Sequence, residues 1–222
     1  MRTRSNWDDL LPMDEITLAA KHLVTVWSSV SMADPKHFKY TSREPDLTER
    51  LHSFLVRFSS ESGLTGMWIN ESQDTFYSNK GEVRGRNRKD ITYFSNLSGI
   101  RLTLVFEFKK LTKSNLATYR GVNGMQRFVD GNYAIGESLA VMVALIKEDR
   151  VNTIEALNRS LSQKGVQNEL RMVHDGNKKY IRRPSKVFNG IAEFDTEHRR
   201  PSEKSPPNGT TTLAHIFLGF ST

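Results

Sequence analysis

The sequence predicts an α/β domain, a mixed sheet with helices packed on it, and three features of the 222-residue chain carry that expectation. Apolar residues in the first quarter recur at three- and four-residue intervals, the spacing of one helix face. From Leu64 the texture changes to short runs divided by Ser, Asn and Gly turns, which is the pattern of strands. An unbroken apolar run at 139–146 (LAVMVALI) reads as a strand.

The elements follow in order. Over residues 14–30, Ile16, Ala20, Leu23, Trp27 and Val30 share a helix face, and Asp14 and Glu15 stand in the first turn, where the helix dipole favours carboxylates. Residues 1–40 or so thus read as an N-terminal helical extension ending in the loop MADPKHFKYTSR. A second helix, from about Glu44 to Ser59, carries Leu47, Leu51, Phe54, Leu55 and Phe58 on one stripe. Strands are expected at 65–70, 88–95 and 101–109, with YSNKGE and SNLSG as turns. A helix over roughly 115–130, the strand 139–146 and a helix over 148–164 come next. Strand-like pieces near 168–174 and 179–188 precede a Pro-, Ser- and charge-rich stretch, 195–212, that reads as a mobile loop. LAHIFLGF closes the chain as a strand. With no internal repeat and no interdomain linker, one domain is expected.

Composition narrows the function classes. Hydrophobic residues make up 37% and charged residues 26%, an ordinary globular mix, while zero cysteines exclude disulfides and thiolate chemistry. Lys and Arg number 32 against 25 Asp and Glu, a net +7 that favours polyanionic partners. The start turns acidic where a signal peptide would be apolar, and no run is long enough to span a bilayer, so a cytoplasmic protein with no membrane association is expected. There is no GxxxxGK(S/T) loop for ATP, no HExxH and no GxSxG elbow.

The informative segment is RGRNRKDITYFSNLSGIRLTLVFEFKKL. Side chains alternate along a strand, so Glu107 and Lys109 share one face while Phe106 and Phe108 anchor the other. Asp90 lies 17 residues before Glu107, at the start of a strand that the SNLSG turn can pair with the Glu/Lys strand. Two carboxylates brought together there form a hard-oxygen site suited to Mg²⁺ or Mn²⁺, ions that acidify bound water and stabilise charge on a phosphate. An adjacent lysine can orient that water. The plain structural alternative is an ion pair on a half-exposed strand beside a turn carboxylate.

Asp90, a hairpin, and Glu107-Phe108-Lys109 resemble the D…(D/E)xK signature of the PD-(D/E)XK nuclease superfamily. The order helix, three strands, helix, strand across 44–146 is similar to its restriction-endonuclease-like αβββαβ core. Lys89 stands where that signature often has proline. The resemblance implies a metal-dependent hydrolase of phosphodiester bonds in DNA. Asp90 and Glu107 would bind Mg²⁺ or Mn²⁺, the Phe108 carbonyl would be a third ligand and Lys109 would position the water. It also implies an acidic residue from the first core helix. At about 100° per residue, Glu44 falls on the side of Leu47, Leu51 and Leu55 and is favoured as the extra metal ligand or organiser of metal-bound water. Glu49 points nearly opposite, and lies three residues after Asp46 in capping-box spacing. Gln126 resembles the glutamine that some members place near the metal or the scissile phosphate. Lys80, Arg84, Arg86, Arg88 and Lys89, with Lys110 and Lys113, are expected to hold the nucleic-acid backbone. Members serve in anti-phage defence, often beside a separate helicase or ATPase, and a homodimer suits duplex cutting. Two alternatives stay open: an inactive nucleic-acid-binding or assembly subunit on the same fold, and a ribonuclease or single-strand-specific enzyme.

Overall fold

The computed structural model describes residues 12–77, 83–96, 101–147 and 149–220, with 73–77 and 83–88 described by their backbone. Its central sheet runs in the spatial order β1 (Met67–Asn70), β4 (Ile91–Ser95), β5 (Leu102–Leu111), β6 (Leu139–Ile146), β10 (Thr210–Gly219), β9 (Phe194–Arg199) and β7 (Met172–Val173). β8 (Ile181–Arg182) also pairs with β9, and β2 (Gln73–Tyr77) with β3 (Val83–Arg88) forms a separate hairpin. β5, β6 and β10 are mutually parallel, and every other pairing is antiparallel. This is a mixed α/β architecture, as expected.

Helices cover both faces, which explains why all eight residues of β6 are buried. Phe106 and Phe108 pack on one side with α1 (Met13–Ala33) and α2 (Glu44–Arg57). Val105 and Leu111 pack on the other with α4 (Leu116–Arg120), α5 (Met125–Val129) and α6 (Arg150–Leu161). The short helices α3 (Ser59–Ser62) and α7 (Lys164–Glu169) complete the set among the described residues.

Four expectations change. α1 is an integral layer and no extension: Ile16, Ala19, Ala20, Leu23, Val26, Trp27 and Val30 are buried in the first core, and Glu15 accepts hydrogen bonds from Thr65 and the Tyr93 hydroxyl. The helix expected over 115–130 is broken. Gly124 has backbone angles far from helical, and a side chain there would meet the Tyr119 carbonyl oxygen at 2.0 Å, so α4 and α5 are separate single turns. The basic stretch before Asp90 is no simple turn: Arg84, Arg86 and Arg88 belong to a strand of the β2–β3 hairpin.

The fourth change is the stretch 195–212, which is strand at both ends; only 200–209 lies outside β9 and β10. Composition misleads there because the polar residues of β9 satisfy one another inside the core. Leu170 offers a carbonyl, which can only accept, so Nδ1 of His198 donates to it (2.7 Å). Nε2 of His198 then accepts from the Thr196 hydroxyl (2.8 Å), and Thr196 accepts from Nε2 of His215 (2.9 Å). Nδ1 of His215 in turn accepts from the Tyr119 hydroxyl (3.0 Å). Each imidazole is neutral in this one-way chain, and both are fully buried.

Burial holds His198 down at about 4 and His215 well below the usual histidine value. A depressed folded-state value gives stability that is whole above the ordinary 6.5 and is lost as pH falls toward 4. Urea unfolding should therefore show the native protein losing about 2 kcal/mol more than a His198→Gln variant between pH 7 and pH 5. Equal losses would contradict the neutral-histidine chain.

Candidate active site

The site begins with a mismatch of strand lengths. β4 stops at the pair Ile91–Phe106, while β5 runs on to Leu111 with only β6 beside it. Past Phe106 the outer edge of β5 has no strand to bond, and unpaired backbone groups there are costly unless other partners arrive. Side chains supply them. Asp90 Oδ2 accepts from the Phe108 N–H (2.8 Å), Glu44 Oε2 from the Lys110 N–H (3.0 Å), and Asn115 Oδ1 from the Thr112 N–H (2.7 Å). Lys109 Nζ donates to the Phe108 carbonyl (2.7 Å), and Asn115 Nδ2 to the Lys110 carbonyl (3.0 Å).

Asp90 is fixed because the hairpin closes just before it: Glu71 donates its N–H to the Asp90 carbonyl (3.0 Å) and Lys89 to that of Ser72 (2.9 Å). Glu44 arrives as the first residue of α2, followed by Pro45, which suits an opening helical turn. Strand alternation turns Glu107 and Lys109 to the same face of β5, as expected. Lys109 Nζ lies 2.8 Å from Glu44 Oε1 and 2.9 Å from Glu107 Oε1. Asp90, Glu44, Glu107 and Lys109 thus meet at one place.

The electrostatics are those of charges taken out of water. Glu107 is 0% exposed, and its Oε2 is buried without a hydrogen-bond partner. Burial raises its carboxyl, the Asp90 charge raises it further, and Lys109 and Arg127 oppose, leaving it at about 8. Burial also pushes Asp90 up, against Lys109 and the Phe108 N–H. For Lys109 burial alone would lower the value, but the carboxylates of Glu107, Asp90 and Glu44 together outweigh it and hold the ammonium charged.

Two residues of the cluster were not anticipated. Arg127 Nη1 lies 3.4 Å from Glu107 Oε1 and donates to the Tyr133 hydroxyl, with its guanidinium 4.8 Å from the Tyr133 ring centroid. Gln126 Nε2 bonds Asp130 (3.1 Å) while its Oε1 is buried with no hydrogen-bond partner, and Arg127 is the residue of α5 in contact with Glu107. The paired glycines, Gly121 and Gly124, are the signal that could have found the helix break.

Other expected residues are placed differently. Glu49 is exposed and takes no part, and α2 starts at Arg43–Glu44 with no side-chain cap, so the Asp46–Glu49 capping box does not form. Lys89 is only 7% exposed, and its charge acts on Glu137, so it is not offered to a ligand. Lys110 donates to the Ser42 carbonyl and lies over the Tyr40 ring at 5.1 Å, and Lys113 pairs with Asp149 at 3.0 Å. Arg84, Arg86 and Arg88 lie on β3, but their side chains, like all of Lys80, are outside the described residues.

Among the described residues no three His, Cys, Asp or Glu side chains form a ready metal-binding group. Both Glu44 oxygens are engaged, by Lys109 Nζ and the Lys110 N–H, so Glu44 clamps the lysine. The pair Asp90 and Glu107 remains. Glu107 Oε2 is buried with no hydrogen-bond partner, and the Asp90 charge raises the Glu107 carboxyl further. An oxygen donor set of two carboxylates and a backbone carbonyl fits a hard divalent cation. Comparisons of the chain with protein-family models, curated proteins and solved structures find no match. No helix among the described residues is long and apolar enough to cross a membrane.

Proposed function

We propose that the chain is a metal-dependent nuclease of the PD-(D/E)XK kind, hydrolysing phosphodiester bonds in DNA. The observation that carries this reading is the convergence of Asp90 and Glu107 beside Lys109 on the unpaired edge of β5. The element order supports it: α2, then β1, β4 and β5 in antiparallel succession, then the broken helical segment, then β6 parallel to β5. The β2–β3 hairpin is an insertion in that αβββαβ order.

Asp90 and Glu107 would hold Mg²⁺ or Mn²⁺, with the Phe108 carbonyl as a further ligand once Lys109 releases it. The ion supplies a more acidic water and charge neutralisation at the phosphate. Lys109 stays charged, so it acts as a hydrogen-bond donor that orients water and not as a base. Glu44 keeps its ammonium at the site while the other acceptors change. The net +7 favours the polyanion. A separate helicase or ATPase, a homodimer, a cytoplasmic setting and a role in anti-phage defence belong to the same reading.

The test is cleavage of duplex DNA, single-stranded DNA and RNA in parallel with Mg²⁺ or Mn²⁺. Asp90→Asn and Lys109→Met should each slow cleavage by about 100-fold or more with unchanged circular dichroism. Wild-type rates in both variants would sink the reading. The complete burial of Glu107 under Lys109 and Arg127 favours one rival, an inactive binding or assembly subunit whose cluster is only an ion-pair network. Calorimetry separates the two, because that rival gives no Mn²⁺ heat dependent on Glu107.

A further inference from the structure

We infer that Arg127 occupies the place of the metal's charge beside Glu107 and, when a divalent cation joins, transfers to a non-bridging oxygen of the phosphodiester. This rests on the nuclease reading above. Lys109 cannot easily serve as that anchor, since Glu44, Glu107 and the Phe108 carbonyl surround its ammonium at 2.7–2.9 Å and its side chain is only 12% exposed. Arg127 differs on each count. Its side chain is 31% exposed, and its contact with Glu107 is long, 3.4 Å. The far side of the guanidinium is braced by the Val122 carbonyl (3.3 Å from Nε) and Asn123 Oδ1 (3.3 Å from Nη2), while the Tyr133 ring supports its face.

Such bracing leaves the cation held in place by other partners, and its longest contact is the one to Glu107. Lys109 and Arg127 already share Glu107 Oε1, so a divalent cation joining Glu107 adds repulsion that acts on the longer and more exposed of the two contacts, the one to Arg127. A planar fork of N–H donors matches a phosphate geometrically, and it needs to move only one contact to meet one. The loop carrying Tyr133 is itself anchored from across the fold, where buried Arg200 donates to the Tyr133 carbonyl (3.1 Å) and to that of Ala134. The ring against which Arg127 rests is thereby fixed.

The experiment compares wild type, Arg127→Met and Arg127→Lys in two arms, Mn²⁺ titration by calorimetry and single-turnover cleavage of an oligonucleotide. Competition predicts Mn²⁺ binding about fivefold tighter or more in Arg127→Met, because a competing charge has gone. Phosphate anchoring predicts a cleavage rate about 100-fold lower with little change in KM, partly recovered by Arg127→Lys. Cleavage within threefold of wild type, or Mn²⁺ binding weakened together with thermal stability, would overturn the inference. A wild-type chain that takes up Mn²⁺ but cleaves nothing sinks the nuclease reading instead. The Mn²⁺ arm then decides the competition at Glu107: tightening supports it, and no change ends it. No Mn²⁺ heat in any of the three proteins ends both.

Discussion

Replacing Glu107 by glutamine is expected to abolish metal-dependent cleavage and, in the same protein, to raise its thermal stability. The activity loss follows from removing a carboxylate proposed to hold the cation, and should be about 100-fold or more. The gain in stability follows from burial. A carboxyl held at about 8 when its ordinary value is 4.5 carries a folding penalty in its charged form. A raised folded-state value stabilises relative to higher pH: the contribution is whole below 4.5 and disappears as pH rises through about 8. Wild type should therefore lose stability over that window while Glu107→Gln does not.

Breaking a buried ion pair is usually destabilising, because it orphans the remaining charge. Here neither cation is orphaned. Lys109 keeps Glu44 and the Phe108 carbonyl, and Arg127 keeps Tyr133, Asn123 and the Val122 carbonyl. The net gain expected at pH 9 is about 1–3 kcal/mol, read as a Tm increase of several degrees in the presence of chelator. The difference should shrink toward pH 5. A lower Tm for Glu107→Gln at pH 9 would show that the ion pairs outweigh the desolvation of the carboxyl.

Trp27→Ala is expected to cost about 3–5 kcal/mol, a large part of the stability of an ordinary domain. Trp27 is 2% exposed, donates its indole N–H to the Gly219 carbonyl (2.7 Å), and meets Phe38 and Phe220 edge-on at 5.5 and 5.4 Å. It therefore joins α1 to the last strand, 192 residues away in sequence. Trp27→Ala should lower Tm by roughly 6–20 °C, and Trp27→Phe by much less. A fall below 2 °C in Trp27→Ala would return α1 to the status of an appendage.

The sequence by itself determined the elements whose periodicity answers to one local rule. The boundaries of β6 were legible to the residue because an unbroken apolar octet has the length of a strand and is too short for an ordinary buried helix. Leu47, Leu51 and Leu55 announced the buried stripe of α2, and the same helical phase favoured Glu44 over Glu49. Alternation along β5 placed Glu107 and Lys109 together, with Phe106 and Phe108 behind them. All of these are short-range consequences of chain geometry.

What only the tertiary structure decided depends on partners distant in sequence. β9 has the composition of a loop, and it is a core strand because His198, Thr196 and His215 hydrogen-bond one another across neighbouring strands. Arg127 reaches Glu107, and Gln126 bonds Asp130, from a helix that starts anew after Gly124, whose backbone lies so near the Tyr119 carbonyl that only glycine fits. The burial of Lys89 and the clamp of Glu44 on Lys109 likewise arise from packing between separate segments. Local pattern selects an element and the face it shows, but the partner that meets that face, and hence the charge each group carries there, is set by the whole fold.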